Sequence, residues 1–215
     1  MAVTICPTVT VDDSQKFQTQ VNIITSFASR IHIDLSDGIF SPEKLLPIDD
    51  VWWPGNVHAD LHVMYESPFD HITNLIGLDP QLIITHVEAQ GDVSRFSDML
   101  HDHGIKVGIA LLADTPVERL TTFIDSIDHV LIFAGKLGYY GGHANLGLLS
   151  KVSELKSLKP SLEIGWDGGI NDQNIRQLID GGVEVLNVGG YIARSDDPRA
   201  AYAKLEALAG PQDAQ

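Results

Sequence analysis

The side chains able to do chemistry fall in four short stretches: His32-Ile33-Asp34, His58-Ala59-Asp60-Leu61-His62, Thr85-His86 and Trp166-Asp167-Gly168-Gly169. Each belongs to a run short enough for a buried strand. In an extended strand, residues i and i+2 point to the same side. His32 and Asp34 therefore share a face, and so do His58, Asp60 and His62. Two imidazoles and two carboxylates at converging strand ends suit a divalent transition ion such as Zn²⁺, Fe²⁺ or Mn²⁺. Asp167 closes the run 162–167, and the glycines after it permit a sharp exit and a close backbone approach. Asn171 is placed to cap a helix over 172–180. His58 begins its strand and is expected at the far rim. A lone histidine or a lone Asp-Gly-Gly is most simply structural; recurrence at several strand ends is what points to a site.

A second grouping is rich in glycine: Gly138-Tyr139-Tyr140-Gly141-Gly142 and Val188-Gly189-Gly190-Tyr191. Such loops let backbone N–H groups approach a phosphate. His71, His101, His103 and His129 lie away from strand ends and are read as surface or structural residues. Trp52-Trp53 suits core packing or a subunit contact. Asp114-Thr115-Pro116 reads as a helix cap.

The elements that must position these groups alternate from end to end. Strands are predicted over 3–6, 30–34, 57–63, 81–86, 106–112, 129–133, 162–167 and 184–188. Between them the spacing predicts a helix capped by Asp12 with Phe17, Val21, Ile24 and Phe27 on one face, and a short helix over 42–50. Further helices are predicted over 68–76, from Val93 to a stop at Gly104, over 117–126, 146–158 and 172–180, and a last one opened by Asp196-Asp197-Pro198 and carried by Tyr202, Leu205 and Leu208. Near-continuous apolar strands such as Leu82-Ile83-Ile84 suit a parallel sheet covered on both faces. Eight such units in 215 residues predict an α/β fold, a single (β/α)8 TIM barrel over 1–210 with a tail at 211–215. In such a barrel the strand ends converge on one face.

The net charge of −15 argues against nucleic acid or an anionic membrane as partner. One cysteine, Cys6, cannot form an internal disulfide and suits a reducing compartment. The chain opens on no charged-then-apolar leader and has no run of spanning length. A soluble cytoplasmic protein is expected, and a homo-oligomer.

These motifs resemble the ribulose-phosphate 3-epimerase family from Cys6 to about Ile192. Ile5-Cys6-Pro7-Thr8-Val9 is similar to its opening strand. His32-Ile33-Asp34-Leu35-Ser36-Asp37-Gly38-Ile39-Phe40-Ser41-Pro42 is similar to its His-x-Asp-x-Met-Asp-Gly-x-Phe-x-Pro signature. Asp60-Leu61-His62-Val63-Met64, Thr85-His86-Val87-Glu88-Ala89 and Asp167-Gly168-Gly169-Ile170 also match. The resemblance implies one divalent metal ion (Zn, Fe or Mn) held by His32, Asp34, His62 and Asp167, with Asp34 and Asp167 as the acid/base pair. It implies substrate contacts from Thr8, Met64, His86, Gly141, Gly142, Gly189 and Gly190. The implied reaction is 3-epimerisation of a phosphorylated sugar, ribulose 5-phosphate to xylulose 5-phosphate in type, through an enediolate. The chain departs from the pattern at Ser36 and Phe133, each where the family has Met, and at Ile39, where it usually has His. The loop 136–143 replaces Asn-Pro-Gly-Phe-Gly-Gly-Gln, and Gly189-Gly190 replaces Gly-Ser. Two alternatives follow: an epimerase for another ketose phosphate such as a hexulose 6-phosphate, or a catalytically degenerate barrel that still binds metal and sugar phosphate. A lyase of the same barrel group would carry a lysine in Asp34-Leu35-Ser36-Asp37, and none is present.

Overall fold

A computed structural model describes residues 3–137, 139 and 142–210. Eight parallel strands close into a barrel in chain order: β1 (Thr4–Val9), β2 (Arg30–Ser36), β3 (His58–Met64), β4 (Leu82–His86), β5 (Lys106–Leu111), β6 (His129–Phe133), β7 (Glu163–Asp167) and β8 (Val185–Val188). Helices α1 (Ser14–Ile24), α2 (Ile72–Gly77), α3 (Val93–His101), α4 (Ser150–Leu158), α5 (Ile175–Asp180), α6 (Gly190–Ala193) and α7 (Pro198–Ala209) accompany them. The (β/α)8 barrel expected from the alternating pattern is thus the fold. Among the described residues, no helix is long and apolar enough to cross a membrane.

Local chemistry explains where the elements differ from expectation. The helix expected over 42–50 reduces to one 3-10 turn, Ile48–Asp50. Pro47 lacks an N–H and pushes the residue before it out of the helical region. The backbone N–H groups of Leu45 and Leu46 instead reach the carbonyls of Ser36 and Val11. The helix expected over 117–126 breaks into two 3-10 turns, Val117–Leu120 and Ile124–Ser126. Thr121 interrupts it by donating its hydroxyl back to the Glu118 carbonyl at 2.8 Å, a bond that competes with helix continuation. Thr115 does not cap that segment; its hydroxyl goes to Glu88. Asp13, not Asp12, caps α1 by accepting from the N–H groups of Gln15 and Lys16. Asn171 closes a turn onto the Gln173 N–H at 2.9 Å, and α5 starts three residues later than expected. Leu208 is exposed, whereas Tyr202 and Leu205 are buried. β1 runs on to Val9, because Pro7 and Thr8 pair with Val188 and His32 across the closed barrel, which no local apolar pattern announces.

The main core lies between sheet and helices and includes the outward residues Ile31, Ile33, Leu61 and Val63. Inside the barrel, Leu82, Ile84, Ala110 and Leu131 form a separate apolar plug. Toward the N-terminal ends of the strands, Arg30 donates from Nε to Asp60 at 2.8 Å and from both Nη atoms to Glu163 at 3.1 and 3.0 Å. His129, fully buried, shares a hydrogen bond of 2.8 Å with the same Glu163 carboxylate. His129 is therefore structural, and His71, His101 and His103 are exposed, as expected. His58 is exposed at the N-terminal end of β3. Trp52 packs edge-on to Phe17 and Trp53 lies against the core.

Two outcomes follow for this ion cluster. Arg30→Met leaves the buried Asp60 without its cation, so urea unfolding at pH 7 should give a loss of about 3–5 kcal/mol. Burial opposes ionisation of Glu163, but hydrogen bonds from His129 and Arg30 outweigh it and hold the carboxyl well below the usual range. The unfolded chain then takes up this proton more readily than the native state. The stabilisation is full above the unfolded glutamate pKa of about 4.3 and is lost as pH falls below it. Urea midpoints measured from pH 7 to pH 3 should fall less steeply for Glu163→Gln than for the parent.

Candidate active site

Strand pairing builds the site. Along β2 and β3, Asp34 lies opposite His62 and His32 opposite Asp60. Asp167, the last residue of β7, pairs with Phe133 on one side and Asn187 on the other. His32, Asp34, His62 and Asp167 each offer one ligand atom, all within 4.8 Å of one another. His62 Nδ1 lies 2.9 Å from Asp34 Oδ1. His32 Nε2 lies 3.3 Å from Asp34 Oδ1 and 3.7 Å from Asp167 Oδ2. Thr10 donates its hydroxyl to Asp34 Oδ2 at 2.5 Å, fixing that carboxylate.

The electrostatics are those of a site short of positive charge. Both ring nitrogens of His32 are buried without a hydrogen-bonding partner among the described residues. Burial pushes the Asp167 carboxyl up, and the Asp34 charge adds to the push. Burial opposes the charge on Asp34 too, but the nearby His32 ring and the hydrogen bond with His62 hold it down. Burial lowers His62 to about 4 against the hydrogen bond to Asp34. A divalent cation among these atoms would satisfy the His32 lone pair and both carboxylates at once. Two imidazoles and two carboxylates are a donor set suited to Zn²⁺, Fe²⁺ or Mn²⁺.

A cavity of about 240 Å³ opens in front of Asp34 and Asp167. Of the residues expected to touch substrate, Thr8, Met64, Gly142, Gly189 and Gly190 line it. Gly141 lies outside the described residues. His86 stands off the wall, behind His62, with its Nε2 2.9 Å from His62 Nε2. The loops after β6 and β7 meet backbone to backbone here. Gly169 has φ +71°, and a Cβ on it would fall 2.2 Å from the Ala144 nitrogen; at Gly168, φ +116°, the clash is 2.3 Å from the Gly135 nitrogen. Only glycine permits that approach.

The cavity wall also carries Lys136, Arg194 and Asn187, which sequence reasoning missed. The signal was present for Arg194: a basic residue one helical turn after Gly190, in a strongly acidic chain. Lys136 lies over the Tyr139 ring at 4.4 Å, and the Tyr139 hydroxyl donates to Glu43, tying the loop after β6 to the loop after β2. Two cationic side chains therefore stand with Gly189 and Gly190 on the wall of one cavity.

Comparison with known proteins agrees with this geometry. The model of the "Ribulose-phosphate 3 epimerase family" matches residues 4–193. A ribulose-phosphate 3-epimerase of Helicobacter pylori is 31% identical over 194 residues, covering 86% of this chain and 89% of that protein. One of Bacillus subtilis is 27% identical over 192 residues, covering 83% and 86%. Among solved structures, 3-hexulose-6-phosphate synthase from Salmonella typhimurium superposes with a TM-score of 0.70 at 11% identity, over 95% of this chain and 97% of that one, a likeness of fold. The match over nearly the whole chain, with all four clustered side chains inside it, makes this chain a member of the ribulose-phosphate 3-epimerase family.

Proposed function

We propose that the protein is a metal-dependent 3-epimerase of a ketose phosphate, of the ribulose 5-phosphate/xylulose 5-phosphate type. The observation that carries this reading is that Asp34 and Asp167 face one cavity while belonging to one four-residue ligand cluster. Epimerisation beside a ketone needs a proton acceptor on one face of the carbon and a donor on the other. Asp34 and Asp167 enter the cavity from β2 and β7, on well-separated strands of the barrel. One carboxylate takes the C3 proton; the other, protonated, returns one to the opposite face, and the roles exchange in the reverse direction. A bound divalent ion, held by His32, Asp34, His62 and Asp167, would supply Lewis-acid polarisation of the ketone and charge for the enediolate. Thr10 keeps Asp34 oriented. Met64 and Phe133 line the wall beside the carboxylates and limit water.

The glycine-rich part of the same wall suits a phosphate dianion. Gly189 and Gly190 lack side chains that would keep a phosphate from their N–H groups, and Lys136 and Arg194 add charge. That side-chain charge, with the replaced loop over 136–143, favours a second reading in which the substrate is a ketose phosphate of another length, such as a hexulose 6-phosphate. Turnover of a panel of pentulose and hexulose phosphates distinguishes the two, and binding without turnover across the panel would identify a degenerate barrel.

Elemental analysis should find about one divalent transition ion per chain, and His62→Ala should lower that occupancy by removing one donor. Full occupancy in the variant overturns the ligand assignment. The proton-transfer roles are read in D₂O. A metal-replete Asp167→Asn protein should let deuterium into recovered substrate through Asp34 while epimer formation falls by at least about 10²-fold. Epimerisation at the parental rate would remove Asp167 from the mechanism.

A further inference from the structure

We propose that Glu88 is a positioning residue for the metal centre: acting through His86, it decides which nitrogen of His62 carries the proton. This rests on the metal reading above, but Glu88 and His86 lie outside the ligand set.

His62 lies between two partners. Its Nδ1 is 2.9 Å from Asp34 Oδ1, and its Nε2 is 2.9 Å from His86 Nε2. Two neutral imidazole nitrogens at that distance share one hydrogen, so one donates and the other accepts. The far nitrogen of His86, Nδ1, is 3.4 Å from Glu88 Oε2, a close approach rather than a formed hydrogen bond, and neither of these buried atoms has another hydrogen-bonding partner among the described residues. The other oxygen of Glu88 is already held, accepting from the Thr115 hydroxyl and from the Leu112 N–H at 3.3 Å. Both imidazoles are fully buried. Phe40 covers the His86 ring at 4.8 Å, and Phe133 packs on His62 and His86 at 5.6 and 5.8 Å. With the rings shut in, the two ends of the chain of contacts set the protons.

Only two arrangements of neutral rings satisfy the central contact. In the first, His62 Nδ1–H donates to Asp34, His86 Nε2–H donates to His62, and the bare His86 Nδ1 faces the Glu88 carboxylate, lone pair to lone pair. In the second, His62 Nε2–H donates to His86 and His86 Nδ1–H donates to Glu88. His62 Nδ1 is then bare and points, with Asp34 Oδ1, into the ligand cluster. The second is the arrangement in which His62 can ligate a cation. An ionised Glu88 accepts and cannot donate, so it favours the second arrangement against the pull of Asp34. Metal-ligating histidines are commonly oriented by a partner of this kind; here the partner is reached through a second imidazole.

Glutamine at position 88 separates this role from a packing role. Its one carbonyl oxygen stays with Thr115 and Leu112, so its NH₂ is turned to His86 Nδ1. That forces the first arrangement. Alanine removes the acceptor but lets water take the His86 proton. Metal-stripped parent, Glu88→Gln and Glu88→Ala proteins should be titrated with Zn²⁺ by competition calorimetry. Imidazole tautomers should be read from two-bond ¹H–¹⁵N NMR spectra of the metal-free proteins. Glu88→Gln should bind Zn²⁺ about 10–100-fold more weakly than the parent and more weakly than Glu88→Ala, although Glu88→Ala has the lower melting temperature. The Gln variant should also move the proton from His86 Nδ1 toward His62 Nδ1. Equal affinity in parent and Gln variant, or a weaker Ala than Gln variant, overturns the proposal. Unchanged imidazole nitrogen shifts between parent and Gln variant overturn it whatever the metal result. A parent that binds no Zn²⁺ but shows the tautomer shift would instead remove the metal reading and leave the role of Glu88 over His62 standing.

Discussion

Four ionisable side chains, His32, Asp34, His62 and Asp167, are brought within 4.8 Å of one another at the end of a closed barrel. An ionised carboxylate out of water is costly unless it is paired, hydrogen-bonded or bound to a metal. Two of them in one place repel: the neighbouring histidines hold Asp34 down, while burial and then the Asp34 charge push Asp167 up. The neighbourhood is arranged around that problem. Thr10 donates to one carboxylate, the two histidines offer lone pairs, and a chain of contacts through His86 ends on Glu88. A cation at the centre would resolve the repulsion, and the same cation would supply the charge that the proposed enolisation needs.

The other end of the barrel solves the same problem differently. Asp60 and Glu163 are also buried or half-buried carboxylates, but Arg30 supplies the positive charge from within the chain. Between the two ends lies the apolar plug of Leu82, Ile84, Ala110 and Leu131. At the C-terminal end, the carboxylates of the cluster meet only histidines among the ion pairs of the described residues. One end therefore has its carboxylates paired with a cation from within the chain. The other gathers carboxylates and imidazoles that could hold a metal ion. Active sites at the C-terminal face of such barrels follow the same division.

The acidic chain also needs local compensation to receive an anion. Gly189 and Gly190 clear space at backbone level, and Lys136 and Arg194 put charge on the same cavity wall. A protein of net charge −15 repels anions at long range, so recognition of a phosphate, as proposed, would depend on these near groups, which act within a Debye length of about 8 Å.

The barrel and its ligand strands were legible in the sequence because both depend on short-range periodicity. Alternation made His32 and Asp34, and Asp60 and His62, share faces whatever the rest of the chain did, and eight repeats of strand and crossover predicted closure. The helices over 42–50 and 117–126 were misread because Pro47 and Thr121 redirect hydrogen bonds that an apolar count does not see. Tertiary structure alone decided the rest. Asp60 and His62 share a face of one strand, yet one meets Arg30 and the other the ligand cluster, because the two positions lie at different depths in the barrel. Thr115 reads as a cap in the sequence and serves Glu88 in the fold. Lys136 and Arg194 meet one cavity, and Glu88 reaches His62 through His86, only because strands far apart in the chain close on each other. Period and residue type act within a few residues, whereas depth in the barrel and pairing across it exist only once all eight strands are joined.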